Sequence, residues 1–99
     1  MARFDVYPNR DGPGYLLDCQ ADALSDLSTR FVVPLLPPHE APRPISGLNP
    51  RFRLESEDVF MMTHFAASVS ASYLGEAVGS LDHEYGAILN AFDKLVTGY

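Results

Sequence analysis

The residues able to do covalent or metal chemistry are few and scattered. His39 lies in a proline-rich stretch, His64 in an apolar run and His83 just ahead of the last amphipathic segment. None has a second His or Cys at metal-ligand spacing, so no metal site and no cofactor is expected. Cys19, the single cysteine, sits between Asp18 and Gln20. Nothing adjacent would stabilise a thiolate, so Cys19 reads as a packed structural thiol, and no intrachain disulfide can form. Glu57 and Asp58 are neighbouring carboxylates, but they fall where a tight turn is expected, and a turn takes polar residues anyway. Met61 and Met62, close to Phe60 and Phe65, read as core filling. A nucleophile elbow, a phosphate loop, a CxxC zinc pair and an HExxH are all missing from the sequence. With no catalytic residue to assign, the chain reads as a binding protein that acts through loops and a terminus, and not as an enzyme.

Charge narrows the partners. The chain has 99 residues with seven basic and thirteen acidic side chains, a net charge of −6. Residues 1–53 hold six Arg and six acids, whereas residues 54–99 hold seven acids and only Lys94. Direct nucleic-acid binding needs clustered cations to neutralise phosphates, and an anionic membrane surface asks the same; neither is expected. The acidic half includes the last helix, which suggests an acidic helix face steered to a basic patch on a protein partner. The apolar share of 46% suits a folded globule. No run approaches the ~20 apolar residues of a membrane span, and the first residues carry no secretory pattern, so the expected location is the cytoplasm.

The elements that must position any binding surface follow from periodicity. Alternation over residues 3–7 predicts a strand, and Asn9 to Gly14 is dense in turn formers that close a hairpin onto Tyr15–Gln20. Residues 21–29 are polar and hold at most a helical turn. Arg30 to Leu36 predicts a strand buried on both faces, with an edge or bulge at Pro34. Five of the eight prolines fall in residues 37–50, which must be a long loop of the kind that is often functional. Arg51–Glu55 and Val59–Phe65 form a hairpin around Ser56-Glu57-Asp58, and Ser68–Tyr73 alternates as a further strand. Tyr85, Ile88, Leu89, Phe92, Leu95 and Val96 fall on one helix face; Asp82 is a candidate N-cap and Gly98 a terminator. The fold class is mainly β, about six strands, with one C-terminal α-helix in a single domain over residues 1–99.

Three collinear stretches carry a resemblance. They are Leu16 to Asp22 continued through Arg30–Leu35, then Met61-Met62-Thr63, then Ala67-Ser68-Val69 with Leu74–Val78 and Leu81-Asp82-His83. Their motifs read D-x-Q-x-D, V-[IV]-P-L, M-M-T and A-S-V…G-E-x-V-x-x-L-x-H. In order, spacing and total length the chain resembles the CcdB family of plasmid and chromosomal toxins.

The resemblance implies an SH3-like barrel of the toxin type, a smaller sheet beside it and one C-terminal helix. It implies a homodimer that binds the A subunit of DNA gyrase, traps the cleaved DNA and needs no catalytic residue. It further implies a cognate antitoxin that neutralises the toxin and contacts operator DNA in a repressor complex. The topoisomerase-facing positions would be Ala23, Leu24, Asp93, Val96, Thr97, Gly98 and Tyr99. Where well-studied members end in Trp-Gly-Ile, this chain ends Thr97-Gly98-Tyr99. The antitoxin-facing loops would be Asn9–Gly14, with Asn9, Arg10 and Asp11, and Pro37–Pro50, with His39, Arg43 and Ser46. Two other readings stand beside this one. The first is a retuned toxin that only binds antitoxin and corepresses its operon. The second is an mRNA-cleaving toxin of the same fold, which the lack of any Lys or Arg over residues 54–93 disfavours.

Overall fold

Strand β3 (Thr29–Leu36) is the spine on which the other strands assemble. In a computed structural model describing residues 1–98, it pairs with β2 (Tyr15–Asp18) on one side. On the other side β6 (Ala67–Ser70) takes residues 29–32, and β5 (Glu57–Met61) takes Leu35 and Leu36. Strand β1 (Asp5–Pro8) pairs with β2, β7 (Gly79–Ser80) with β1, and β4 (Arg51–Leu54) with β5. All pairings are antiparallel, and the order β4-β5-β3-β2-β1-β7 gives a nearly closed, barrel-like sheet, with β6 branching off β3. Helix α1 (Tyr85–Thr97) follows the last strand. The expected class, mainly β with one C-terminal helix, is what forms, with seven strands among the described residues instead of about six.

Pro34 lies in the central strand, not at an edge. It falls between the β6 ladder and the β5 ladder, where the 3-10 turn Thr63–Phe65 interrupts the pairing and Met62 N–H donates to the Pro34 carbonyl at 2.9 Å. A residue without an amide donor is tolerated where the ladder already breaks. That same turn ends the expected Val59–Phe65 strand at Met61 and places His64 in a turn. The expected Ser68–Tyr73 strand likewise stops at Ser70, and Ala71–Tyr73 coils into a 3-10 turn.

Strand alternation sorts side chains into two cores. Val6, Leu17, Val33, Leu35, Phe52, Val59 and Met61 face the main core, which Ile88 and Ala91 of α1 cover. Tyr7, Leu16, Val32 and Leu74 form a second core on the other face of the sheet. Arg30 faces that second core, 1% exposed, and pairs with the fully buried Asp18. The expectation of Arg30–Leu36 as a strand buried on both faces holds for Arg30, Val32, Val33 and Leu35 and is corrected at Phe31, which is exposed.

Turn chemistry sets the register. Gly14 has φ +76°, and a Cβ built there would lie 2.0 Å from the Leu35 carbonyl oxygen. Only glycine fits both constraints. Gly14→Ala is therefore expected to destabilise the fold by at least ~2 kcal/mol, read as a drop in Tm of roughly 8 °C or more for a domain of this size.

The second hairpin turns at Glu55-Ser56, one residue earlier than expected, because Leu54 pairs with Glu57. Glu57 and Asp58 thus lie in β5, not in a turn. Asp58 accepts hydrogen bonds from Arg51 and Arg53, and the Arg51 bond leads in holding its carboxyl below the ordinary value. Asp82 does not cap α1; Asp82–Glu84 is a 3-10 turn and Glu84 holds the cap position without a side-chain bond. Gly98 ends the helix as expected, at φ +84° with its N–H on the Lys94 carbonyl.

Candidate functional site

Helix α1 buries less of its apolar face than its pattern implies. Ile88 and Ala91 are buried and Ala87 and Phe92 pack partly on the main core. Tyr85, Leu89, Leu95 and Val96 stay exposed, Val96 at 79%. Tyr85, Leu89, Phe92 and Val96 recur at steps of four, three and four, so they form one stripe along the helix. Between Tyr85 and Thr97 the only charges are Asp93 and Lys94, which cancel. The expected acidic helix face is therefore an apolar one; the acids Asp82 and Glu84 lie in the preceding turn.

The stripe continues onto the sheet. Exposed Phe31 of β3 stacks against Phe92 with ring centroids 5.5 Å apart. The turn carrying exposed Phe65 packs on α1. Gln20 then ties the 21–28 segment to this face, because its Nε2 donates to the Leu24 carbonyl at 2.9 Å and its Oε1 accepts the Phe31 N–H at 3.1 Å. Exposed groupings of this kind on a small protein mark an interaction surface.

Among the positions expected to face a topoisomerase, Ala23, Leu24, Asp93, Val96, Thr97 and Gly98 are all exposed. Gln20, bonded to both the Leu24 carbonyl and the Phe31 N–H, and the Phe31–Phe92 contact link the 21–28 segment to α1. Thr97 turns its hydroxyl back to donate to the Asp93 carbonyl at 2.6 Å. Tyr99 lies outside the described residues. Phe31, Phe65, Leu89 and Phe92 carry the surface, although the sequence pattern assigns none of them to a site. Phe31 sits in an apolar run that reads as core, and only the polar Thr29 two positions earlier marks its face as open.

The two loops expected to face an antitoxin are both on the surface and tethered separately. In the β1–β2 loop, the Asp11 N–H donates to Asn9 Oδ1 at 3.2 Å, Arg10 Nη1 donates to the Tyr73 carbonyl at 3.0 Å, and the Tyr73 hydroxyl donates to Asp11. That last bond leads in pushing the Tyr73 phenol up. In the loop over residues 37–50, His39, Arg43 and Ser46 are exposed. Its far end is anchored by Asn49, which donates to the Met61 carbonyl at 3.1 Å, and by the Thr63 hydroxyl on the Leu48 carbonyl. The bases of the two loops meet where Gly14 packs on Leu35 and Leu36. No hydrogen bond joins Asn9, Arg10 or Asp11 to His39, Arg43 or Ser46 among the described residues.

The motif residues themselves hold structure. Asp18 pairs with Arg30, Gln20 bridges the exposed face, and Asp22 Oδ1 accepts the Arg3 N–H at 2.8 Å. Met61 and Met62 are fully buried core residues, as their pattern suggests. Burial, more than the adjacent Asp18 charge, pushes the Cys19 thiol far above its ordinary value. Native Cys19 should therefore resist iodoacetamide at pH 8 and react only after unfolding; modification of the folded chain within minutes would contradict that burial.

Among the described residues no grouping of three or more His, Cys, Asp or Glu side chains is poised to hold a metal ion. No helix of those residues is long and apolar enough to cross a membrane. A sequence model of the family described as CcdB protein matches residues 3–98.

Proposed function

The chain belongs to the CcdB family, and from that premise we propose that it is a toxin of a type II toxin–antitoxin pair that inhibits a type II topoisomerase by binding its gyrase-type A subunit. Family membership supports the toxin role. The observation that carries the finer reading is the exposed apolar stripe of α1, which runs directly into Thr97 and Gly98. A helix that leaves Leu95 and Val96 in water next to the tail offers them to a protein. The chain acts by binding, not by catalysis.

The working form is a homodimer. Phe31 of β3, Phe65 of the adjoining turn and Tyr85 and Leu89 of α1 are exposed apolar groups that a second copy would cover. Leu89→Glu is expected to convert the dimer to a monomer by sedimentation at micromolar concentration, since a buried unpaired charge at an interface costs several kcal/mol. An unchanged dimer would place the interface elsewhere.

A cognate antitoxin contacts the β1–β2 loop through Asn9, Arg10 and Asp11 and the 37–50 loop through His39, Arg43 and Ser46. The complex represses its operon with the antitoxin on the DNA, and the toxin acts in the cytoplasm. Induction in a bacterial host should arrest growth, and the product of a short reading frame directly upstream should restore it. The hydroxyl of Thr97, folded back on its own helix, supplies no aromatic anchor where well-studied members carry Trp. That observation favours a second reading, a retuned toxin that only binds antitoxin and corepresses. Tight antitoxin binding without growth arrest would select it.

A further inference from the structure

The strand order leaves β4 and β7 unpaired with each other. These two end strands both line a cleft of about 680 Å3, within the size range of ligand sites. Val6, Leu54 and Val78 supply apolar lining, and Arg53 and His83 stand among the polar groups. None of these residues belongs to the α1 stripe or to the two loops.

The backbone explains why the gap stays open. The Val78 N–H bonds to the Val6 carbonyl and the Leu81 N–H to the Phe4 carbonyl, both at 2.8 Å. A three-residue step on the β7 side thus matches a two-residue step on the β1 side, which is a bulge, and Phe4 opposite it has φ +71°. A bulge turns an edge strand away from its neighbours, so β7 does not reach β4. On β4, the Leu54–Glu57 pair closes a two-residue turn. Antiparallel alternation then gives the amides and carbonyls of Phe52 and Leu54 to β5 and leaves those of Arg51 and Arg53 on the free edge.

Side chains on that edge alternate as well. Phe52 is buried and Leu54 half-buried, whereas the Arg51 and Arg53 side chains are 60% and 64% exposed on the opposite face. The two guanidinium groups share one carboxylate, Asp58, so the pair carries one uncompensated positive charge. The acid on the rim, Glu55, sits beyond the end of the strand.

We propose that the β4 edge takes an extended acidic peptide segment from a partner chain as an added strand. Its apolar side chains would lie over Val6, Leu54 and Val78, and its alternate carboxylates would face Arg51 and Arg53. Main-chain bonds to Arg51 and Arg53 supply the affinity, and the alternation supplies the selection. The site is independent of the topoisomerase reading.

The test titrates the 15N-labelled full chain with the capped peptide acetyl-Val-Glu-Val-Asp-Val-Glu-amide. Saturable shifts of the Arg51, Arg53, Leu54 and Gly79 amides are expected. N-methylation of alternate peptide amides, which blocks strand pairing, and the variant Arg51→Gln/Arg53→Gln should each weaken binding about tenfold or more. The variant residues are exposed, and an unchanged spectrum outside β4 and β5 confirms its fold. A peptide with Lys in place of every acid should bind at least as weakly. No saturable shift at millimolar peptide, shifts confined to α1 or the two loops, or equal binding of the N-methylated peptide would each overturn the proposal.

Discussion

Asp18→Ala is expected to destabilise the fold by about 3–5 kcal/mol. Asp18 is fully buried and Arg30 is 1% exposed. Arg30 Nε donates to Asp18 Oδ2 at 2.9 Å, and Nη2 lies 2.7 Å from the same oxygen without an aligned hydrogen bond. Asp18 Oδ1 also accepts the Gln20 N–H at 3.0 Å. Removing the carboxylate leaves a guanidinium uncompensated beside Tyr7, whose phenol burial already pushes up. The loss is about a fifth or more of the total stability of an ordinary domain. In urea the midpoint should fall with an unchanged slope. The double variant Asp18→Leu/Arg30→Met removes both charges and should lie within about 1 kcal/mol of the parent or above it, because the desolvation term disappears with the pair. If Asp18→Ala costs less than about 1 kcal/mol, the pair is open to water and the second core is not as described. The effect should reach the functional face too, because Gln20 is held by Asp18 and itself holds Leu24 and Phe31.

Removing Gly98 and Tyr99 should abolish growth arrest while leaving the fold intact. The helix is anchored by Ile88 and Ala91, more than a turn before its end, and its exposed last residues contribute little packing. The truncated chain should keep its dimer and its melting temperature within a few degrees. Its inhibitory potency should fall by a factor of about thirty or more, the effect of losing an interface anchor of about 2 kcal/mol or more. Val96→Asp should act in the same direction, since it puts a charge at the most exposed point of the apolar stripe. Full toxicity of the truncated chain would remove the tail from the mechanism.

How much of this was legible in the sequence depends on how local the cause is. The β1–β2 hairpin, the 37–50 loop and the end of α1 at Gly98 follow from short-range chemistry, and all three form where expected. The period of the last segment locates the helix, but it cannot say that Leu89 and Val96 stay in water while Ile88 and Ala91 do not. That division depends on which sheet face the helix meets. Arg30 and Phe31 are the sharpest case. Adjacent strand residues take opposite faces, and an apolar neighbourhood argues for burying Phe31; the carboxylate of Asp18, which strand pairing sets opposite Val32 and so diagonal to Arg30 on the same face, buries Arg30 instead. Pro34 shows the same limit, since only the β5-to-β6 exchange around it explains a proline in a central strand. Of the expected site, the described positions on α1 and the 21–28 segment are all exposed. The aromatic residues that join them became visible only through tertiary contacts.

The most direct test of the central claim is a cleavage assay with purified chain, gyrase, ATP and supercoiled plasmid, stopped with detergent and treated with protease. If the chain poisons a type II topoisomerase, linear plasmid accumulates with its concentration, and the variant lacking Gly98 and Tyr99 gives none. Plasmid that stays supercoiled at all toxin concentrations, with gyrase and with topoisomerase IV alike, would contradict the account.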